Sequence, residues 1–294
     1  MFVQQLINGI SLGSVYALTA VGYSLVYSVL SLINMSHGAV FLTSAIIFYS
    51  FYNLGSSGLP FWVTFLITLA VSAVMGLIIE RIAIRPLRKS GDGMTYALIS
   101  SIGVKTILEN ACIVFFGSEI KQFPTLFAGQ YVEIFGARMA VIQFFIIGVT
   151  LLVLAGLAWF TMKTKTGYGL RSISQNLNAS YLMGIPVDRM VAIGFAVGSM
   201  LAAIAGIAFC MYYQSVSSAI GGVIGQKALA ATVLGGIGVL SGSVVGGFVI
   251  GIVEMLTAGY ISMSYRNLVA FGILILTLII KPTGLFGKKE QKKV

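Results

Sequence analysis

His37 is the only histidine in this chain, and it sits in a polar knot, Asn34-Met35-Ser36-His37-Gly38, inside a stretch (residues 1–79) that holds no acid, Lys or Arg. An amide, a hydroxyl and an imidazole this close together can satisfy broken backbone, line a polar path or pass a proton. All three readings stay open for His37. They cannot build a metal centre, because no Cys or carboxylate cluster lies near His37 in sequence, so neither metal nor cofactor is expected. No paired nucleophile accompanies the imidazole, which leaves enzyme chemistry without a recognisable constellation. Hydrolysis of ATP by the chain itself is excluded too: no G-x-x-x-x-G-K-[ST] phosphate loop occurs.

Two other sites carry charge where charge is expensive. Lys105 and Glu109 lie four apart on one face of an apolar helix, which reads as a structural ion pair, since burying either alone is unfavourable. Glu254 falls in the outer part of its helix with no partner visible in sequence and is expected to face protein or water rather than lipid. Cys112 and Cys210 sit in apolar runs where a small buried thiol is the ordinary occupant, so no redox role follows.

The elements that must position these residues are membrane helices. The chain is 58% hydrophobic and 9% charged over 294 residues, with a mean hydropathy of +0.99; a soluble domain carries about 25% charged residues. Hydropathy windows place helices at 5–30, 37–54, 61–84, 94–116, 139–162 and 190–213, then a short segment at 223–240 and spans at 244–260 and 267–281. The expected fold is all-α: one polytopic membrane domain over residues 1–294, with nine crossings, or eight and a re-entrant segment. The knot at 34–38 is then a broken helix, which survives in a membrane only where protein or a water-filled cavity satisfies the backbone. The first residues lack the basic region of a cleavable signal, so the first apolar stretch is expected to remain as a spanning helix.

Of the 18 Lys and Arg, 13 fall on one side: Arg81, Arg85, Arg88, Lys89, Lys163, Lys165, Arg171, Arg189, Lys281, Lys288, Lys289, Lys292 and Lys293. The positive-inside rule makes that side cytoplasmic, together with the tail at about 282–294, and with nine crossings puts the N-terminus outside. The net charge of +10 is then a bias toward the inner leaflet, and no aromatic-interleaved basic stripe points to nucleic acid.

The 35 glycines concentrate late, with Gly238, Gly242 and Gly246 four apart. That spacing suits either tight helix packing or a second broken helix facing the first. Ser36-His37-Gly38-Ala39-Val40 and Ser241-Gly242-Ser243-Val244-Val245 hint at an internal repeat, over too few positions to establish one. From Thr166 to Asp188 lies the largest insertion on the basic side. Leu170, Ile173, Leu177 and Tyr181 recur at helical spacing, which predicts one short amphipathic helix ended by Gly184-Ile185-Pro186, with Asp188 capping the next helix. Its apolar face suits a membrane surface or a soluble partner.

Gly9-Ile10-Ser11-Leu12-Gly13-Ser14-Val15-Tyr16-Ala17-Leu18 and Leu32-Ile33-Asn34-Met35-Ser36-His37-Gly38 resemble the opening of the LivH-type permease subunits of bacterial ABC importers for branched-chain amino acids. The similarity continues through Gly167 to Ile185, through Ala231-Thr232-Val233-Leu234-Gly235-Gly236-Ile237-Gly238, and to Pro282-Thr283-Gly284-Leu285-Phe286-Gly287, nearly the whole chain. The resemblance implies a transport subunit of the cytoplasmic membrane, not an enzyme. Its implied partners are a second homologous permease, two cytoplasmic ATPases, an external solute-binding protein and a small amino-acid substrate. It assigns 167–185 as the segment that couples to an ATPase, with Gly167, Arg171, Leu177, Leu182, Gly184 and Ile185 fitting the family pattern. Gln175-Asn176 replace a Glu-Asp pair usual in relatives. Asn34, Ser36, His37 and Gly38 become the candidate transport path. A permease of the same group for urea, short amides or other amino acids is the nearest alternative, and an ion-coupled secondary transporter a remoter one.

Overall fold

The computed structural model describes residues 1–54, 58–88, 93–127, 129–134, 136–218 and 220–287. The expectations for Lys89, Lys288, Lys289, Lys292 and Lys293 lie outside the described residues.

The helices are α1 (Phe2–Leu30), α2 (His37–Tyr52), α3 (Phe61–Ile78), α4 (Arg85–Arg88), α5 (Gly93–Phe116), α6 (Val141–Lys163), α7 (Lys165–Gln175), α8 (Leu177–Leu182), α9 (Val187–Tyr213), α10 (Ile220–Gly235), α11 (Leu240–Tyr260) and α12 (Arg266–Ile280). A π-helical stretch, Ile79–Ile84, joins α3 to α4 in one continuous rod. Among the described residues, seven helical stretches are long and apolar enough to cross a membrane, α3 counted with its continuation to Arg88 and α12 with the 3-10 turn before it (Met263–Ile280), whereas α2 and α10 have 16 residues each. At about 1.5 Å per residue those two fall short of a ~30 Å hydrocarbon core.

α10 starts beside Ser218, whose hydroxyl donates to the Gly117 carbonyl (2.7 Å). It ends where the Leu285 and Phe286 amides donate to the carbonyls of Leu234 (2.8 Å) and Gly235 (3.0 Å). It therefore runs between the two ends of the bundle, and the described residues make nine passes. The upper end carries the described residues of 117–127, 129–134 and 136–140, where β1 (Lys121–Gln122) pairs with β4 (Ser215–Val216) and β2 (Tyr131–Ile134) with β3 (Ala137–Ala140). α7 and α8 sit at the lower end.

α1 forms the centre, with 94% of its most apolar window buried, against 28% for α3, 11% for α5 and 6% for α12. Those outer helices present Trp62, Leu66, Ile107, Val114 and Ile279 outward, as a membrane solvent requires. The centre is built by glycine. A Cβ on Gly9 would come within 2.7 Å of Ile252 Cα, one on Gly13 within 2.9 Å of Phe248 Cα, and one on Gly251 would meet the Gly13 backbone. Two four-residue glycine spacings, Gly9/Gly13 and Gly247/Gly251, thus bring α1 and α11 backbone to backbone. Gly242 meets the Gly235 carbonyl and Gly246 that of Ala231, so this cluster packs helices closely. The break beside it, Gly236–Val239, rests on Tyr27 and Ser28 of α1; the 34–38 knot instead has α10 as its neighbour through Gly38.

The 165–182 segment corrects the single amphipathic helix expected from its spacing. Asn176 takes an extended conformation (φ −161°, ψ 108°), and its side chain accepts from the Ala179 amide (2.9 Å). An Asn side chain competes well for helix-start amides, so it divides the segment into α7 and α8. Leu170 and Ile173 are buried under α7, while Tyr181 and Leu182 of α8 are exposed. Asp188 does not cap α9; Pro186 holds that position and Asp188 lies in the first turn.

Candidate functional site

α1 stops at Ser31, which adopts a left-handed conformation (φ 52°), and the chain turns back into the protein before α2 begins. The broken backbone is satisfied internally. Asn34 Oδ1 accepts from the Ser36 amide (3.2 Å) and hydroxyl (2.6 Å), and the Met35 amide donates to Ser101 Oγ (3.1 Å). An Asx turn therefore starts α2. Asn34, Ser36, His37 and Gly38 are all buried.

His37 packs against Tyr23, ring centroids 4.5 Å apart, and its Nε2 is buried with no hydrogen-bond partner. It fills the space over Gly22, where a Cβ would stand 2.5 Å from Nε2. Gly38 faces Gly225 of α10; a Cβ on either would lie 2.8 Å from the other's Cα. The polar knot is thus the place where the two short helices cross without intervening side chains.

Lys105 Nζ and Glu109 Oε1 stand 3.9 Å apart, each about a quarter exposed. That is an ion-pair distance without a hydrogen bond. Glu109 Oε1 lies against Gly222 at the start of α10.

The other side of α10 holds a cluster that sequence reading left incomplete. Glu254 of α11 is fully buried: Oε2 accepts from the Tyr16 hydroxyl of α1 (2.8 Å), and Oε1 from Lys227 Nζ of α10 (2.8 Å) and from Arg266 at the start of α12. Arg266 also donates to the Tyr213 hydroxyl (3.1 Å). These groups line a cavity of about 390 Å³ near the upper end, whose walls include Phe209, Ile220, Val223 and Ile224. The signal for Lys227 was a lone cation inside an apolar stretch, which in a membrane demands a buried anion. Glu254 does face protein, as expected.

At the lower end, Gly167 is buried against the Thr161 backbone, where a Cβ would come within 2.6 Å of Thr161 Cα, fixing the turn from α6 into α7. Arg171 is exposed and stacks over Tyr168, 4.8 Å from the ring centroid. Gln175 and Asn176 are exposed, Leu177 and Ile185 are half-buried, and Leu182 is 89% exposed. Gly184 (φ 76°) supplies the left-handed turn after α8. Beside it a cavity of about 620 Å³ is lined by Arg81, Arg85, Tyr181, Ile185 and Arg189. Arg85 bonds buried Glu80 through Nε and Nη2 (3.0 and 2.9 Å) and the Asp188 carbonyl (3.3 Å); Arg88 pairs with the Asp188 carboxylate. The π-helical turn holding Glu80 is thereby tied to the segment that follows α8, and such turns often mark working parts of a helix.

A family model described as the permease component of branched-chain amino acid transport systems matches residues 5–278. The high-affinity branched-chain amino acid transport system permease protein LivH of Escherichia coli (strain K12) is 36% identical over 303 residues, covering 100% of this chain and 98% of that protein. The similarly described BraD of Pseudomonas aeruginosa is 37% identical with the same coverage. Among solved structures, PsaBC from Streptococcus pneumoniae in complex with Fab shares the fold, with a TM-score of 0.51 and 16% identity over 97% of this chain and 94% of that one.

Proposed function

The chain belongs to the family of permease components of branched-chain amino acid transport systems, and from that membership we propose that it is one transmembrane half of an ATP-driven importer that moves leucine, isoleucine and valine across the cytoplasmic membrane. The observation that carries the reading is full-length similarity to two permeases so described. A second, homologous permease completes the path. Two cytoplasmic ATPases supply the energy, and an external solute-binding protein delivers the substrate. The basic lower end faces the cytoplasm with the C-terminal segment.

The mechanism is alternating access. A loaded binding protein docks on the upper end, including 117–138 and 214–226, and nucleotide-driven closure of the ATPases is felt through Gly167, Arg171, Gln175, Asn176, Leu177, Leu182, Gly184 and Ile185. Exposed Leu182 supplies an apolar contact for an ATPase cleft. Amide-based hydrogen bonds from Gln175 stand in for the acidic contacts of relatives, while the Asn176 side chain is occupied in capping α8. Asn34, Ser36, His37 and Gly38 shape the central path by setting how α2 crosses α10, and the Lys105–Glu109 pair braces α5 beside it.

The test is reconstitution with the co-encoded subunits, followed by uptake of labelled leucine with unlabelled isoleucine, valine and urea as competitors. Uptake that requires ATP and the binding protein and is blocked by isoleucine and valine is expected. An assembled complex that hydrolyses ATP and ignores leucine sinks the substrate assignment.

A further inference from the structure

We propose that the cavity between α10, α11 and α12 is a binding site for the amino-acid zwitterion, in which Arg266 and Lys227 take the carboxylate, Glu254 the ammonium group, and Ile220, Val223 and Ile224 the aliphatic side chain. The inference rests on the function just given and names where this chain holds its cargo.

Charge is the first argument. Lys227, Arg266 and Glu254 sum to +1: the buried Lys227–Glu254 pair balances itself, and the surplus charge sits on Arg266, 21% exposed and lining the cavity. The partly exposed surplus cation suits an incoming anionic group.

Free hydrogen-bonding capacity is the second. Lys227 has three N–H donors and uses one, on Glu254. Arg266 Nε is buried with no partner. The Glu254 carboxylate has about four acceptor positions, and three donors reach it, from Tyr16, Lys227 and Arg266. Two cations with spare donors beside one carboxylate with a spare acceptor complement a zwitterion at both ends.

Shape is the third. The cavity of about 390 Å³ falls within the ~300–1,000 Å³ usual for small-molecule sites, which combine apolar walls with a few convergent polar groups. Exposed Met263 and Asn267 sit at its rim at the upper end, the side from which a binding protein releases its cargo.

The experiment uses the full chain, purified in nanodiscs with its co-encoded subunits but without the solute-binding protein. Saturation-transfer NMR measures binding of L-leucine, of leucinamide, which lacks the carboxylate, and of 4-methylpentanoate, which lacks the ammonium group. Leucine is expected to bind at least about tenfold more tightly than either analogue, the order of one charged contact. Arg266→Gln should shrink the preference for leucine over leucinamide while keeping the preference over 4-methylpentanoate, and Arg266→Lys should restore the former. Equal binding of leucine and either analogue overturns the proposal, and this comparison needs no variant, so it stands even if Arg266→Gln fails to assemble. An unchanged preference for leucine over leucinamide in an assembled Arg266→Gln complex overturns it as well. Wild-type uptake of leucine, measured in parallel with the binding protein, separates a wrong site from a wrong substrate.

Discussion

Arg88 and Asp188, 100 residues apart in sequence, form an ion pair that ties the foot of the α3–α4 rod to the first turn of α9, directly after α8. Arg85, three residues earlier, reaches both Glu80 and the Asp188 carbonyl, so the segment after α8 is bonded to a π-helical turn in the α3–α4 rod, a link that would carry motion of α8 under the proposed function.

Asp188→Asn should therefore disturb coupling more than folding. The Asp188 side chain is 38% exposed, and pairs of that kind contribute about 0–1 kcal/mol to stability. Leucine moved per ATP hydrolysed is expected to fall by the equivalent of about 0.5–2 kcal/mol of coupling, with the melting temperature nearly unchanged. Transport and ATP turnover measured in the same proteoliposomes check this; an unaltered ratio counts against the Arg88–Asp188 link as a transmission element.

Leu182→Asp tests the docking surface. At 89% exposure the side chain contributes little to the fold, yet a carboxylate there would be desolvated in an apolar ATPase contact. Loss of co-purifying ATPase with normal membrane insertion is expected. Leu170→Asp, at a buried position, should instead destroy expression of folded protein, which distinguishes interface from core.

Gly251→Leu should separate α1 from α11, because even a Cβ there meets the Gly13 backbone. Overpacking of a tight core costs about 1–3 kcal/mol and sometimes more. A lowered unfolding midpoint in detergent is expected, whereas Gly148→Leu, where a Cβ meets nothing within 4 Å, should leave it unchanged.

Glu254→Gln should be among the most damaging single changes, since it leaves Lys227 and Arg266 without their shared anion. Breaking a buried pair from one side costs about 3–5 kcal/mol. Adding Lys227→Met to Glu254→Gln should restore part of that stability, and a double-mutant cycle on thermal unfolding measures the coupling. Additive losses would mean that the two residues do not interact.

Much of this architecture was legible because the membrane simplifies the reading. Each of the nine apolar segments had to be helical to satisfy its own backbone, and the helices start within a few residues of where hydropathy puts them. The knot at 34–38 was visible as polar residues without charge. The depth to which Asn34 itself rebuilds the helix start, through Ser36, was not, because that depends on side-chain orientation. Hydropathy could not divide α7 from α8: the stripe Leu170, Ile173, Leu177, Tyr181 keeps helical spacing across Asn176, and only the local competition of its amide for the Ala179 N–H breaks it. Glu254 appeared solitary because its partners come from three other helices, Tyr16 from 238 positions away. Lys227 was hidden in a segment read only for its glycines.

The backbone contact between α1 and α11 also sets how this protein tolerates random mutation. In a soluble domain the centre absorbs apolar exchanges and the surface absorbs nearly everything. Here the permissive positions lie on the lipid-facing sides of α3, α5, α6 and α12, where one greasy residue replaces another. At Gly9, Gly13, Gly247 and Gly251 even a methyl group meets a neighbouring helix, so no other residue is neutral. Substitution in such a molecule is expected to be tolerated at its rim and resisted at centre positions that have no side chain at all.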